Sequence, residues 1–405
     1  MGIIIPLILI SISCVVIWRA GDGFMTASEY IGRNLSEGVR GASINAIASS
    51  MPEVFTSIFF LFVLMDAEGF AGGIGTTAGS AIFNGMVIPA VSVIAVIGIG
   101  LAKRIEVSKK VMMRDGIALI LTEMIFLILI SGDVLNWYHG LILMGVYLVY
   151  ISYMFLSMNF NKKKEARKAE ANGEAPVAVE EENEEDEEDG PRPSMLKSIL
   201  TFDLENSFIR KEITGANAWP LLVFSTVSIA AVCYILVIAC EWMGAAEYEV
   251  PYLGTYNGLD IPLMFVALIL ASAASSFPDT IISIKDAQRG QYDDAISNAL
   301  GSNIFDVCFA LGFPLFLFTM LYGPLEMDPV LVDMSSELRF LLLILTSLAV
   351  IIFTSTRYIG KTKAFILLGI YILFVVYIIG RSAGNPIADG LADFLVNTLR
   401  TVGIR

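Results

Sequence analysis

Ala48-Ser49-Ser50-Met51-Pro52-Glu53, followed by Ser57, returns later in the chain as Ala274-Ser275-Ser276-Phe277-Pro278-Asp279, followed by Ser283, position for position at an offset of 226. A second pair lies further on, where Gly79-Ser80-Ala81-Ile82-Phe83-Asn84 matches Gly301-Ser302-Asn303-Ile304-Phe305-Asp306 at an offset of 222. Two linked matches mark an internal repeat, which sets the architecture before any single residue is read. Both copies lie in long apolar stretches. The number of membrane crossings between them therefore decides how the two halves are related.

Of 405 residues 56% are apolar and 16% charged, and the mean hydropathy is +0.72. That balance belongs to an integral membrane protein. A helix needs about 20 apolar residues to cross a bilayer core. The sequence predicts roughly ten such spans, at 2–18, 38–64, 72–101, 115–132, 139–158, 220–242, 259–285, 293–321, 338–355 and 363–380. Met1 to Pro6 carries no basic residue and no small-residue cleavage site follows Cys14, so the first stretch is read as a span and not a signal peptide.

The segments after spans 1, 3, 5, 7 and 9 share one face and hold 22 of the 26 Lys and Arg, leaving Arg339, Arg381, Arg400 and Arg405 at or beyond the other face. The positive-inside rule then places the N-terminus outside and the long central segment in the cytoplasm of a multi-pass protein of the cell membrane. The first motif falls in span 2 and the second in span 7, so they enter the bilayer from opposite directions. The expected fold is all-α, two inverted-topology halves of five helices each, with helices 2 and 7 broken. The halves are residues 1–160, with the first repeat at about 38–100, and 202–381, with the second at about 259–321.

Between the halves, residues 161–201 run from Lys to Ala/Glu, then to nine acids within Glu180–Asp189, then to Pro191 and Pro193. Such a segment cannot bury a core and reads as a disordered cytoplasmic linker. A calcium-sensing acidic sink is the sharper alternative, but the run lacks the glycine turn and ligand order of an EF-hand. In the tail, 382–405, Ile387, Leu391, Phe394 and Leu395 recur at helical spacing, which predicts an amphipathic helix on the outer face or against the bundle.

Outside the acidic run the charge balance is 31 acids against 26 bases, which excludes a nucleic-acid binder. Cys14, Cys233, Cys240 and Cys308 sit in apolar runs without zinc or disulfide spacing. With His139 the one histidine, Ser/His or Cys/His catalysis lacks material, and no enzyme activity or organic cofactor is expected. An intramembrane aspartyl protease needs Tyr-Asp and Gly-x-Gly-Asp. Tyr292-Asp293 supplies the first by accident, and the string nearest to the second is Arg19-Ala20-Gly21-Asp22. Glu123, a lone acid in span 4, is a functional hypothesis by default; lacking an equivalent in the other half, it reads equally as a bond to a neighbouring helix and is left out of the site. The partners expected are ions and the lipid bilayer, around a monomeric chain.

The chemistry lies at the repeats. A proline in mid-membrane lacks an N–H and clashes with the carbonyl four residues back, here Ala48 and Ala274. A freed carbonyl in hydrocarbon must line a cavity or meet a cation. Beside each break stand two serines and one carboxylate, so every ligand is an oxygen. Oxygen sites suit hard cations such as Ca²⁺ and Na⁺, not zinc or copper. Glu53, Asp279 and Asp306 face one presumed site, with Asn84 neutral where symmetry allows a fourth acid. Each carboxylate at the bilayer centre costs roughly 2.5 to 3.5 kcal/mol, on the order of 8 to 10 for three. One Ca²⁺ leaves about one negative charge for a proton to offset, and several Na⁺ neutralise the same cage. Hydrogen bonding between helices alone accounts for the serines and poorly for three acids.

These residues resemble the alpha-repeats of the cation/calcium exchanger superfamily, and specifically the sodium/calcium exchangers. The resemblance runs from Gly21-Asp22-Gly23-Phe24 through Ser49–Glu53 and Gly79–Asn84 in one half, and from Ser275 to Leu311 in the other. It implies ten or so helices in inverted halves, exchanging external Na⁺ for Ca²⁺ by alternating access while spans 1 and 6 slide across the core. It further implies Glu53 and Asp279 as central Ca²⁺ ligands. Ser49, Ser50, Ser275 and Ser276 would supply hydroxyl or carbonyl oxygens, and Ser80, Asn84, Ser302 and Asp306 would complete the Na⁺ sites. The family's usual Gly-Thr-Ser-x-Pro-Glu has lost its glycine and threonine in both copies here, which leaves ion preference open. Asp306 is similar to the acid of potassium-dependent exchangers, though it also occurs in potassium-independent relatives. The Gly-Asn-x-x-Glu pattern of proton-coupled relatives is absent. The alternatives are K⁺ co-transport, proton antiport of Ca²⁺ or another divalent ion, and a passive channel through the same cage.

Overall fold

The computed structural model describes residues 2–33, 46–172, 197–198, 201–209 and 212–404. Both repeats break where the prolines predict. Helix α2 (Ala46–Ser49) gives way at Ser50 to α3 (Met51–Leu64). In the second half α9 (Leu263–Val266), a π-helical stretch (Ala267–Ala271) and α10 (Ser272–Ser275) lead to Ser276, beyond which α11 (Phe277–Gln288) sets off at 44°. Ser50 (φ −92°, ψ 7°) and Ser276 (φ −81°, ψ 3°) share one non-helical conformation. Each proline thereby falls in the first turn of the following helix, where its missing N–H has no intrahelical partner to lose.

Helix α4 (Ala67–Gly98) is the hub. Its glycines let neighbouring backbone come close: a Cβ at Gly75 would lie 2.4 Å from the Met264 carbonyl oxygen, and one at Gly79 2.1 Å from that of Leu268. Small residues at such contacts are how membrane helices pack without a hydrophobic drive between them. Around α4 stand α3, α11, α12 (Tyr292–Phe305), α14 (Pro329–Thr354) and α15 (Lys361–Ser382). Following α4 come α5 (Lys109–Leu129) and α6 (Trp137–Asn172), and α12 continues through a second π-helical stretch (Asp306–Ala310) into α13 (Leu311–Tyr322).

Helix α1 (Ile4–Ile31) pairs with α8 (Gly215–Gly244), Ile10, Ile17 and Ala20 against Leu221, Ile229 and Leu236, in an apolar cluster that also takes in Phe60 of α3 and Val266, Ala267, Ala271 and Ala274 of the second broken helix. The short α7 (Leu204–Phe208) rides on this pair, with Leu204 packed where Gly23 leaves room.

Helices α5 and α14 run antiparallel, with Gly116 against Val350, Glu123 bonded by Thr346, and the Leu127 carbonyl bonded by Arg339. Two strand pairs close the ends of this seam: β1 (Ile105–Glu106) with β6 (Tyr358–Ile359), and β2 (Val134–Leu135) with β5 (Leu325–Glu326). A hairpin, β3 (Glu247–Val250) and β4 (Gly254–Asn257), follows α8.

Among the described residues seven helices are long and apolar enough to cross a membrane, and the bent α9–α11 unit makes an eighth. The other two of the ten expected spans correspond to α2–α3, whose approach from residue 34 to 45 lies outside the described residues, and to α5, which opens with Lys109 and Arg114. Three boundaries differ from the sequence reading. Helix α1 continues to Ile31 through Arg19 and Asp22, because α8 covers its polar end. Helix α6 continues to Asn172, past the start expected for the linker at 161; the acidic run 180–189 lies outside the described residues. Arg339, expected at a membrane face, is fully buried. Helix α14 begins at Pro329, so position 339 falls inside the bundle, where the guanidinium donates to the carbonyls of Ser335 and Leu127 and to the Ser335 and Ser336 hydroxyls.

The tail forms α16 (Pro386–Thr401). It buries Ala388, Ala392, Leu395 and Leu399 while Ile387, Leu391 and Phe394 stay exposed. Arg381 ties it down by bonding both Glu337 and Asp389, and Arg400 bonds Asp333 at 2.7 Å.

Candidate functional site

Both breaks, the middle of α4 and the α12–π junction meet in one place, and all ten residues singled out in the sequence are buried there, none more than 2% exposed. Glu53 and Asp279 occupy the first turns of α3 and α11, where the positive end of the helix dipole favours a carboxylate. The short helices before each break end at the same place and turn their C-terminal, carbonyl-bearing ends toward it. Broken helices in transporters bind cations with such ends.

Ser80 is the centre of the polar network. Its hydroxyl lies 2.8 Å from the Ser276 hydroxyl, 3.3 Å from Glu53 Oε1 and 3.2 Å from Asp306 Oδ2, and it accepts from Asn84 Nδ2 at 3.3 Å. One hydroxyl carries one proton, so it can donate to a single one of these oxygens at a time. Ser276 Oγ also lies 3.4 Å from Glu53 Oε1, and Asn84 Nδ2 lies 3.4 Å from Ser302 Oγ.

The halves exchange partners. Ser275 of the second half lies beside Glu53 of the first, and Ser49 of the first lies beside Asp279 of the second, with Asn84 next to it. Ser50 stands next to Asp306. Because Ser49 and Ser275 are equivalent, as are Glu53 and Asp279, this crossing puts the axis relating the halves through the site.

The cage holds more acceptor oxygens than the chain satisfies. Glu53 Oε2, both oxygens of Asp279, Asp306 Oδ1, Asn84 Oδ1 and Ser50 Oγ are buried without a hydrogen bond within 3.5 Å. Among the described residues none of the three carboxylates is in an ion pair. Nor do any three His, Cys, Asp or Glu groups there converge as a metal cluster. A cation in the cage therefore takes much of its shell from hydroxyl, amide and carbonyl oxygens. Buried acceptors in excess of donors are what a hard cation requires.

Two more serines share the repeat pattern without a role assigned to them in it. Ser57 and Ser283, one turn beyond Glu53 and Asp279, are buried with unbonded hydroxyls. Their signal was the repeat itself, which carries a serine at the same distance past each acid. The helix opens to a π-turn at Asp306, whereas α4 runs unbroken through Asn84. The one chemical difference between the two Phe-Asn/Asp positions thus coincides with a local change of helix type, a feature common at functional sites.

The sodium/calcium exchanger protein family model matches residues 5–156 and 217–380. The chain belongs to this family. The match to the exchanger family stops on either side of the segment between α6 and α8, which carries the acidic run, so the family pattern resides in the two membrane halves. Human sodium/potassium/calcium exchanger 5 is 25% identical to this chain over 342 residues, covering 73% of this chain and 66% of that protein; the chain thus spans just under two thirds of that relative's length. The sodium-calcium exchanger NCX_Mj matches 92% of this chain and 98% of its own at a TM-score of 0.51 and 21% identity. The H⁺/Ca²⁺ exchanger CAX matches 97% of this chain and 90% of its own at 0.53 and 14%. The chain has the fold of both, and its apolar spans make it a multi-pass membrane protein.

Proposed function

We propose that this protein is a secondary active antiporter that moves Ca²⁺ against Na⁺ across the cell membrane by alternating access. The observation that carries this reading is the cage: three buried carboxylates contributed by both halves, surplus oxygens, and no basic partner among the described residues. Three carboxylates carry more charge than a single Ca²⁺ and match several Na⁺, so the two ions compete for one set of ligands. That competition is the thermodynamic basis of exchange, since each ion shifts the same equilibrium by its differential affinity. Glu53 and Asp279 hold Ca²⁺ at the centre with Ser49, Ser50, Ser275 and Ser276, while Ser80, Asn84, Ser302 and Asp306 complete the Na⁺ positions. The close pairing of α1 with α8, on apolar contacts with the broken helices, fits a pair that slides over the core to open the cage to one side and then the other. It is a transporter and not an enzyme.

The N-terminus lies outside, and residues 161–201 lie in the cytoplasm. All ten cage residues come from one chain, which supports a working monomer. Potassium co-transport is the second reading, favoured by Asp306 where the first half has Asn84.

The experiment is uptake of radiolabelled Ca²⁺ into proteoliposomes loaded with Na⁺, repeated with choline inside and with or without K⁺ beside the external Ca²⁺. Uptake that needs the outward Na⁺ gradient establishes antiport, and a further K⁺ requirement assigns the second reading. Uptake that ignores Na⁺ but follows a pH gradient overturns Na⁺ coupling in favour of protons. Uptake that needs no counter-ion makes the cage a channel.

A further inference from the structure

Glu123 lies outside the cage and inside the rigid seam of α5 and α14. It is fully buried. The Thr346 hydroxyl donates to its Oε1 at 2.8 Å, and its Oε2 has no hydrogen-bond partner among the described residues. We propose that Glu123 is a second protonation site at the membrane midplane, holding a resident proton as a neutral carboxylic acid throughout the transport cycle.

The depth follows from the repeat. Glu123 and Thr346 are 223 positions apart, within the offsets that relate the two motifs, so they are equivalent residues of the two halves. Equivalent residues that touch lie on the axis relating the halves. In an inverted repeat that axis lies in the membrane plane. Glu123 therefore sits at the depth where water is scarcest and an ionised carboxylate most costly.

The ligand is a proton and not a metal, because the oxygen count is too low. Two side chains, Glu123 and Thr346, supply every side-chain oxygen bonded there, against the six to eight that Ca²⁺ takes and the octahedral shell of Mg²⁺. No basic side chain among the described residues compensates the charge. On α14, Arg339 spends its donors on Leu127, Ser335 and Ser336. On α5 itself Arg114 is paired with Asp115, two turns toward the other end. From the elements packed on α5, Asp306 of the π-turn belongs to the cage and Asp293 of α12 accepts from the Ser108 amide. Tyr147 and Tyr150 of α6 are neutral. With its proton on Oε2 the neutral acid leaves one O–H without an acceptor, a smaller cost than the uncompensated charge an anion would leave. The strand pairs tie α5 to α14 at both ends of the seam.

Infrared difference spectroscopy tests this on the purified full chain with saturating Ca²⁺, where the cage acids are common to wild type and variant and cancel in the difference. Wild type minus Glu123→Gln is expected to show a protonated carboxylic-acid carbonyl band at neutral pH and no carboxylate band. Ca²⁺ uptake by Glu123→Gln is expected at the wild-type level, because the amide replaces the neutral acid. A carboxylate band lost in its place, or an acid band in the difference that vanishes on mild alkalinisation, overturns the proposal. Should the Gln variant not fold, the same difference is taken against Glu123→Met, an acid band supporting the proposal and a carboxylate band overturning it. None of these readings depends on which ion drives uptake, so failure of Na⁺ coupling and failure of the Glu123 assignment are separate results.

Discussion

Ser80 and Ser276 bring their hydroxyl oxygens to 2.8 Å although they come from different halves of the chain. Ser80 also lies within reach of Glu53 and Asp306. The contact joins the unbroken hub helix of one repeat to the broken helix of the other, so the cage is a product of both repeats and is absent from either alone.

Truncating either hydroxyl removes one ligand oxygen and one hydrogen bond. Ser80→Ala and Ser276→Ala are each expected to raise the Ca²⁺ concentration for half-maximal uptake about tenfold, near 1.4 kcal/mol. The double variant should cost less than the two together, because the residues are in contact. Strict additivity in the uptake assay would mean the hydroxyls act independently.

Neutralising a central acid is more severe. Glu53→Gln and Asp279→Asn keep size and hydrogen bonding but remove charge, and Ca²⁺ uptake should fall about 100-fold or more, a loss of roughly 3 kcal/mol or above. Size-exclusion profiles of both variants should match wild type. Wild-type uptake in both would remove the assignment of the cage.

Asp306→Asn makes the second half resemble the first at Asn84. Any stimulation of uptake by K⁺ should disappear while Na⁺-driven Ca²⁺ uptake persists, read from the same liposomes with and without K⁺. Persistence of K⁺ stimulation in this variant would place the K⁺ ligand elsewhere.

Packing is tested at Gly79, where an added Cβ would lie 2.1 Å from the Leu268 carbonyl oxygen. Gly79→Ala should cost about 1–3 kcal/mol through overpacking, seen as a lower melting temperature in detergent. Gly145→Ala on α6, with nothing within 4 Å of the new Cβ, serves as the control and should melt like wild type.

Glu205 of α7 gives a pH-dependent prediction outside the membrane. Burial pushes its carboxyl up, the Asp22 and Asp203 carboxylates push the same way, and Lys285 and the Thr26 hydroxyl oppose them. The folded form therefore binds this proton more tightly than the unfolded chain. Above both titration points the ionised group costs stability, and the cost is relieved as pH falls through the raised value. Glu205→Gln should melt higher than wild type at neutral pH, with the difference shrinking toward acid. Equal melting of the two proteins at every pH would show that the carboxylate is not strained.

The breaks and the cage were legible in the sequence because each is written in a few contiguous residues. Pro52 and Pro278 mark the breaks because each stands with two serines and an acid inside an apolar run, whereas Pro89 lies within unbroken α4, and Glu53, Asp279 and Asp306 betray themselves as acids in such runs. Other features depend on neighbours that the linear pattern does not name. Arg339 read as a membrane-face charge because nothing near it in the sequence shows that Leu127, on a distant helix, lends it a carbonyl. The continuation of α1 through Arg19 and Asp22 rests on cover from α8 and α7. Ser57 and Ser283 are visible as repeat matches but carry no charge to mark them, and their burial without hydrogen-bond partners emerges only in the structure. Glu123 lacked a symmetric acid and so was set aside, although its symmetric position, Thr346, proves to be its partner.

The strand pairs that close the α5–α14 seam also constrain how the protein is made. Ile105 pairs with Ile359 and Leu135 with Leu325, so each pair waits for the ribosome to finish nearly the whole second half. Until then the first half sits in the bilayer with β1 and β2 unmatched, and pairings this remote in sequence form late. The two halves are thus separately insertable but jointly completed. Cutting the gene within the acidic segment and co-expressing both pieces should yield a working protein, whereas a stop codon before Tyr358 should leave a product that quality control destroys.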